Sequence, residues 1–207
     1  MLYQIPHPPM QLQRYLAELL GTFALTLAVW LSLGFSMPLS TPLIAAITLG
    51  LFVYTIGHIS GAHCNPAITC GVISINKMKP QEGAFYIIAQ FIGAMLAMIV
   101  GRMLTGETVQ VGAANTFATG IAEAVGAFFF AFGVAAVVYK KVSGSMSGIV
   151  VGGSLLLGIY VALSLSNGVL NPAVALGIGS LNLMYILGPV AGAVAGMWAF
   201  KFLSDEK

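Results

Sequence analysis

The chain has 207 residues, of which 58% are hydrophobic and only 7% charged, where a soluble domain carries about 25% charged residues. Eight Lys and Arg with six Asp and Glu cannot coat a globule of this size, and so apolar a chain is not disordered. A net charge of +2 without a basic cluster excludes a nucleic-acid partner and leaves an integral membrane protein in contact with the lipid bilayer.

Residues 19–76 and 142–200 contain no Asp, Glu, Lys or Arg. Each stretch is too long for one span of about 20 residues. Breaks at Pro, Gly and charge clusters predict a first span over 12–35, which carries Glu18, and a second over 41–60. A Gly-rich lead-in, Gly57 to Cys64, is expected to be non-helical. It opens a short apolar stretch, 65–75, that starts with Asn65-Pro66-Ala67. The third span is predicted over 82–104 and the fourth over 117–140. The fourth carries Glu123 and the run Phe128-Phe129-Phe130, which is expected to face lipid or packing partners. A fifth span over 145–166 leads through Asn167 to Leu170 into a second short stretch, 171–179, beginning Asn171-Pro172-Ala173. The sixth span covers 183–203. The small residues Gly93, Ala94, Ala97 and Gly101, with Gly188, Gly192 and Gly196, suit close helix contact.

Seven of the eight basic residues, Arg14, Lys77, Lys79, Lys140, Lys141, Lys201 and Lys207, fall on one side of this layout; Arg102 does not. By the positive-inside bias, both termini are cytoplasmic. Residues 1–11 do not read as a cleavable signal peptide. Short tails and loops suggest a prokaryotic cell membrane.

The chain also repeats itself. Ala17-Glu18-Leu19-Leu20-Gly21 recurs 105 positions later as Ala122-Glu123-Ala124-Val125-Gly126, and Asn-Pro-Ala recurs after 106. Each half, about 12–104 and 117–203, holds three spans, so the second half must enter the membrane from the opposite side. Such inverted repeats place sites near the midplane at the interface between halves. Asn followed by Pro is an N-cap and first helical residue. A stretch of about 11 residues spans about 16 Å, half of a roughly 30 Å hydrocarbon core. Two half-helices meeting tip to tip would mimic a seventh span. Their non-helical lead-ins are tolerated at that depth only in protein or beside water.

These features resemble the aquaporins, or major intrinsic proteins, over roughly 12–203. The residues carrying the resemblance are Gly57 through Ala67, Asn171-Pro172-Ala173, both Ala-Glu-x-x-Gly repeats, Ala89 through Ala94 and Gly188-Pro189. The resemblance implies an all-α membrane fold of six tilted spans and two re-entrant half-helices, forming a single channel domain over 1–207. It further implies one pore per subunit, a homotetramer, water and small neutral solutes as the passing molecules, and no cofactor.

Within such a pore, each Asn oxygen can cap half-helix N–H groups while its NH2 donates to the pore. Water accepting from both Asn residues points its hydrogens outward, which breaks the chain that proton hopping needs. Half-helix N-termini add positive potential that repels cations. By analogy with the family, the pore carbonyls are those of Gly61, Ala62 and His63, and of Asn167, Gly168 and Val169. Glu18 and Glu123 could relay protons, since intramembrane carboxylates are functional suspects; the resemblance implies instead that they hold the re-entrant loops. His58 is expected to brace the first lead-in and His63 to contribute backbone to the pore; with no third ligand beside them, no metal site is expected. Cys64 and Cys70 are not expected to pair, and Cys64 is expected to make the pore mercurial-sensitive if its thiol is reachable.

The sequence departs from the family at the outer filter. Most aquaporins place Arg after the second Asn-Pro-Ala, where this chain has Val174. Motif counting puts the other filter positions at Ala45, Ile159 and Gly168. Ile, a small residue and Val are similar to some plant tonoplast members, which usually have His where Ala45 stands. The glycerol-facilitator pattern of Arg then Asp is replaced by Val174 and Ala175. A wide, greasy filter is expected. A passive channel is the leading reading. Against it stand a facilitator with poor water flux, a secondary transporter coupled through Glu18 or Glu123, and an intramembrane enzyme, for which no nucleophile–base pair exists.

Overall fold

The computed structural model describes residues 10–35 and 37–205; residues 1–9 and Lys207, used above for the charge bias and the N-terminus, lie outside these. Eight α-helices follow in order: α1 Gln11–Gly34, α2 Thr41–Ser60, α3 Pro66–Ser74, α4 Pro80–Thr105, α5 Phe117–Val138, α6 Ser147–Ala162, α7 Pro172–Gly177 and α8 Met184–Leu203. A 3-10 turn, Gly144–Met146, leads into α6. Among the described residues, six helices, all but α3 and α7 and with α6 counted from Gly144, are long and apolar enough to cross a bilayer.

Several boundaries differ from those read in the sequence. α2 continues to Ser60, with Gly61 N–H donating to the Gly57 carbonyl at 2.9 Å. The non-helical lead-in is therefore residues 61–64 and not Gly57 to Cys64. Nothing between 57 and 60 lacks an N–H or forces positive φ, and the helix stops only where Gly61 turns left-handed, φ 92°. The half-helices are shorter than expected, nine residues in α3 and six in α7. Asn76, φ 61°, and Gly179, φ 74°, close them in the same way. Asn76 N–H and Lys77 N–H bond back to Ile73 and Val72, while Gly179 N–H and Ser180 N–H bond back to Leu176 and Ala175. α6 ends at Ala162, four residues before the predicted 166, and Ser166 then turns its hydroxyl to the Ala162 carbonyl at 3.0 Å.

Glycines set how closely the spans approach. A Cβ on Gly192 or Gly196 of α8 would fall on the Ala124 or Phe128 carbonyl of α5, and one on Gly93 of α4 on the Leu19 carbonyl of α1. A Cβ on Gly50 of α2 would lie 2.7 Å from the Gly148 carbonyl of α6. Lipid tails offer no hydrophobic drive for helix association, so such backbone proximity supplies the packing energy. Outward-facing Ile47, Leu51, Ile88, Ile99 and Leu157 are exposed, as an apolar solvent allows. One face collects the basic residues: Arg14 pairs with Glu82, and the Lys77 ammonium lies 4.4 Å from the Tyr139 ring centroid.

Candidate functional site

The two half-helices enter from opposite faces and meet at their N-termini. Asn65 Oδ1 accepts from Ala67 N–H at 2.8 Å, and Asn171 Oδ1 from Ala173 N–H at 3.0 Å. Each Asn then reaches into the other half. Asn65 Nδ2 donates to the Leu170 carbonyl and Asn171 Nδ2 to the Cys64 carbonyl, both at 2.9 Å. Each amide has two N–H donors. One is spent on this exchange and one is left for the path beside it. Pro66 and Pro172 occupy the first helical positions, and Ala67 and Ala173 are fully buried behind them.

The accepting carbonyls are aimed by backbone that residues with a Cβ adopt reluctantly. Cys64 has φ 48° and Leu170 φ 55°, each costing about 1 kcal/mol or more. Carboxylates hold both loops in that shape. Glu18, wholly buried, accepts from Ser60 Oγ at 2.7 Å, His63 N–H at 2.9 Å, Cys64 N–H at 2.7 Å and Gln90 Nε2 at 2.8 Å. Glu123 accepts from Ser166 Oγ at 2.8 Å, Val169 N–H at 3.0 Å and Leu170 N–H at 2.7 Å. Neither Glu lines either of the two cavities that flank the junction. His58 does not brace this loop: it belongs to α2 and stands exposed on a cavity wall.

Two cavities converge on the junction. The first, about 340 Å³, runs from Leu33, Thr41 and Val111 on the face away from the basic residues down to Asn65 and Asn171. All four expected filter positions, Ala45, Ile159, Gly168 and Val174, line it, as do Asn167 and Val169. The second, about 420 Å³, runs from Val138, Gly144 and Ser147 on the basic face up to Gly61, Ala62 and His63. His63 and Phe130 border both. His63 thus contributes its ring as well as its backbone; Nδ1 lies 3.2 Å from Thr69 Oγ1 and the ring meets Tyr86 edge-on.

Phe130 is the residue that sequence reasoning missed. It was grouped with Phe128 and Phe129 as lipid-facing or packing, yet it is 1% exposed and turned to the path. A signal for it existed in the repeat. Leu25, 105 positions earlier, lines the first cavity too. Cys64 shows the reverse. Its thiol is buried against Gly21 of α1, where a Cβ would meet Sγ, and it borders neither cavity. Both cysteines are free.

Six spans, two half-helices in an inverted repeat and a bipartite path through their tips define a transmembrane channel of aquaporin fold. The sequence model of the major intrinsic protein family matches residues 6–200, and the chain belongs to that family, whose members are channels for water and small solutes rather than enzymes. It is 30% identical over 211 residues to aquaporin NIP1-1 of Oryza sativa subsp. japonica, covering 93% of this chain and 74% of the relative. Nodulin-26 of Glycine max is 31% identical over 211 residues, covering 93% and 78%. Among solved structures, the aquaglyceroporin from Plasmodium falciparum superposes with TM-score 0.64 at 20% identity, covering 93% of this chain and 95% of that one. Both sequence relatives are plant proteins and lend no support to the prokaryotic source expected from the short tails.

Proposed function

We propose that the chain forms a single channel domain over 1–207 that passes water and small neutral solutes, with ammonia, hydrogen peroxide, urea and glycerol as candidates. Both termini are cytoplasmic and the channel is a homotetramer in this reading. The observation that carries it is the convergence of two cavities on the reciprocal Asn65–Leu170 and Asn171–Cys64 bonds. The free N–H of each Asn orients a passing water by its oxygen. Carbonyls of Gly61, Ala62 and His63 and of Asn167, Gly168 and Val169 take its hydrogens on either side. Cations, hydronium included, meet the positive ends of two half-helices and an apolar ring of Ala45, Ile159, Gly168 and Val174 that cannot replace their hydration.

Glu18 and Glu123 are positioning residues in this mechanism. Their oxygens are engaged by loop donors and stand back from both cavities, which favours a channel over a transporter coupled through them. Stopped-flow light scattering on proteoliposomes tests the reading. Water flux above that of empty vesicles, with a low activation energy, is expected; shrinkage no faster than empty vesicles refutes it. A facilitator with poor water flux is the second reading, favoured by the apolar lining of the 340 Å³ cavity. Fast solute flux with slow water flux would select it.

A further inference from the structure

We propose that solute size is selected at the midplane, by Phe130 facing His63, and not at the ring of Ala45, Ile159, Gly168 and Val174. The inference rests on the channel reading above. In a tube of roughly parallel helices, width is set by the side chains pointing inward. Those at the ring are a hydrogen, a methyl, an isopropyl and one Ile. The first cavity runs through this ring without a break, from Thr41 on one side of it to Asn65 and Asn171 on the other. The break falls deeper. The cavity ends, and the second begins, at His63 and Phe130, which among the described residues are the two that border both.

Both side chains are held there. Phe130 is 1% exposed on α5, within two helical turns of Glu123, which anchors the second loop. The Phe130 ring presents an apolar wall to both cavities. His63 is fixed by Thr69 and Tyr86. The single hydroxyl proton of Thr69 goes to the Asn65 carbonyl at 3.0 Å, and the same oxygen accepts from Gln90 Nε2 at 3.0 Å. With the hydroxyl proton on the Asn65 carbonyl, His63 Nδ1 donates to Thr69. In the neutral ring this leaves Nε2 as an acceptor, on the edge beside Gly61, where a Cβ would be 3.2 Å from it. The constriction therefore has one apolar wall and one acceptor. It suits small molecules that offer an N–H or O–H hydrogen, such as water, ammonia and urea, and it slows bulkier polyols such as glycerol.

The test compares purified wild type, Phe130→Ala, Phe130→Leu and Ile159→Ala in proteoliposomes. Water, urea and glycerol permeabilities are measured by stopped flow on monodisperse protein. Phe130→Ala is expected to raise the glycerol-to-water ratio about tenfold, a barrier change of about 1.4 kcal/mol, with Phe130→Leu intermediate. If Phe130→Ala does not yield monodisperse protein, Phe130→Leu, which nearly conserves volume, decides alone. A ratio that stays at the wild-type value in the Phe130 variants overturns the proposal, as does a larger rise in Ile159→Ala than in Phe130→Ala. Wild-type vesicles that pass no solute faster than empty ones overturn the channel reading and this proposal together. Flux with an unchanged ratio overturns the proposal alone.

Discussion

At the scale of single residues, the position after the second Asn-Pro-Ala decides what kind of outer ring the path has. Val174 is buried and borders the first cavity opposite Ala45 and Gly168, which leave it room. Arg in its place would be costly in hydrocarbon, but Asn167, Gly168 and Val169 line the same cavity, and in the channel reading their carbonyls accept from its five donors. Val174→Arg is expected to lower the urea-to-water and glycerol-to-water permeability ratios about tenfold, or about 1.4 kcal/mol of barrier, at equal reconstituted protein. Unchanged ratios would show that position 174 does not line the path. Cys64 leads to the opposite expectation from the one its sequence neighbours suggested. Its thiol faces α1 and not the path, so mercurial inhibition, if any, should be the same in Cys64→Ser as in wild type. Loss of inhibition in that variant would mean that the loop turns over.

At the scale of elements, the seams between spans are backbone against backbone. Gly192 of α8 sits over the Ala124 carbonyl of α5, and Gly188 and Gly196 meet α5 in the same way at Gly120 and Phe128. Gly192→Ala is expected to cost about 1–3 kcal/mol by overpacking, seen as a lower unfolding midpoint in detergent. Gly192→Leu should abolish the monodisperse species altogether. A Leu variant as stable as wild type would show that α8 can shift outward. The seams, the six spans and the Asn-Pro caps were all legible in the sequence, because small residues at helical spacing, apolar length and N-cap chemistry are local signals. The direction of a side chain was not. In a helix apolar on every side, such as Phe117–Val138, periodicity gives no face, and Phe130 reads like its neighbours Phe128 and Phe129. The left-handed Cys64 was equally hidden, since helical counting does not apply to a loop held by a carboxylate 46 residues away.

At the scale of the whole molecule, the two halves are tied to each other at a point where each carries a left-handed residue, Cys64 and Leu170. Asn65 and Asn171 each lose a cap and a buried bond when replaced by Ala, about 1–3 kcal/mol apiece. The two bonds close one junction, so the double variant should cost less than the sum, with a coupling of about 0.5–3 kcal/mol in a thermal-unfolding cycle. Strict additivity would mean that the junction is two independent contacts. The same reciprocity bears on how the protein is made. A nascent chain that has threaded only its first three spans holds Asn65 with no Leu170 carbonyl to receive it, and it presents one short helix with nothing at its tip. In the channel reading no enclosed route exists at that moment, because both cavities are lined by residues of both halves. On that reading, synthesis that stalls partway is expected to open no hole in the membrane, and permeability is expected only once the second half has been inserted and the two asparagines have locked.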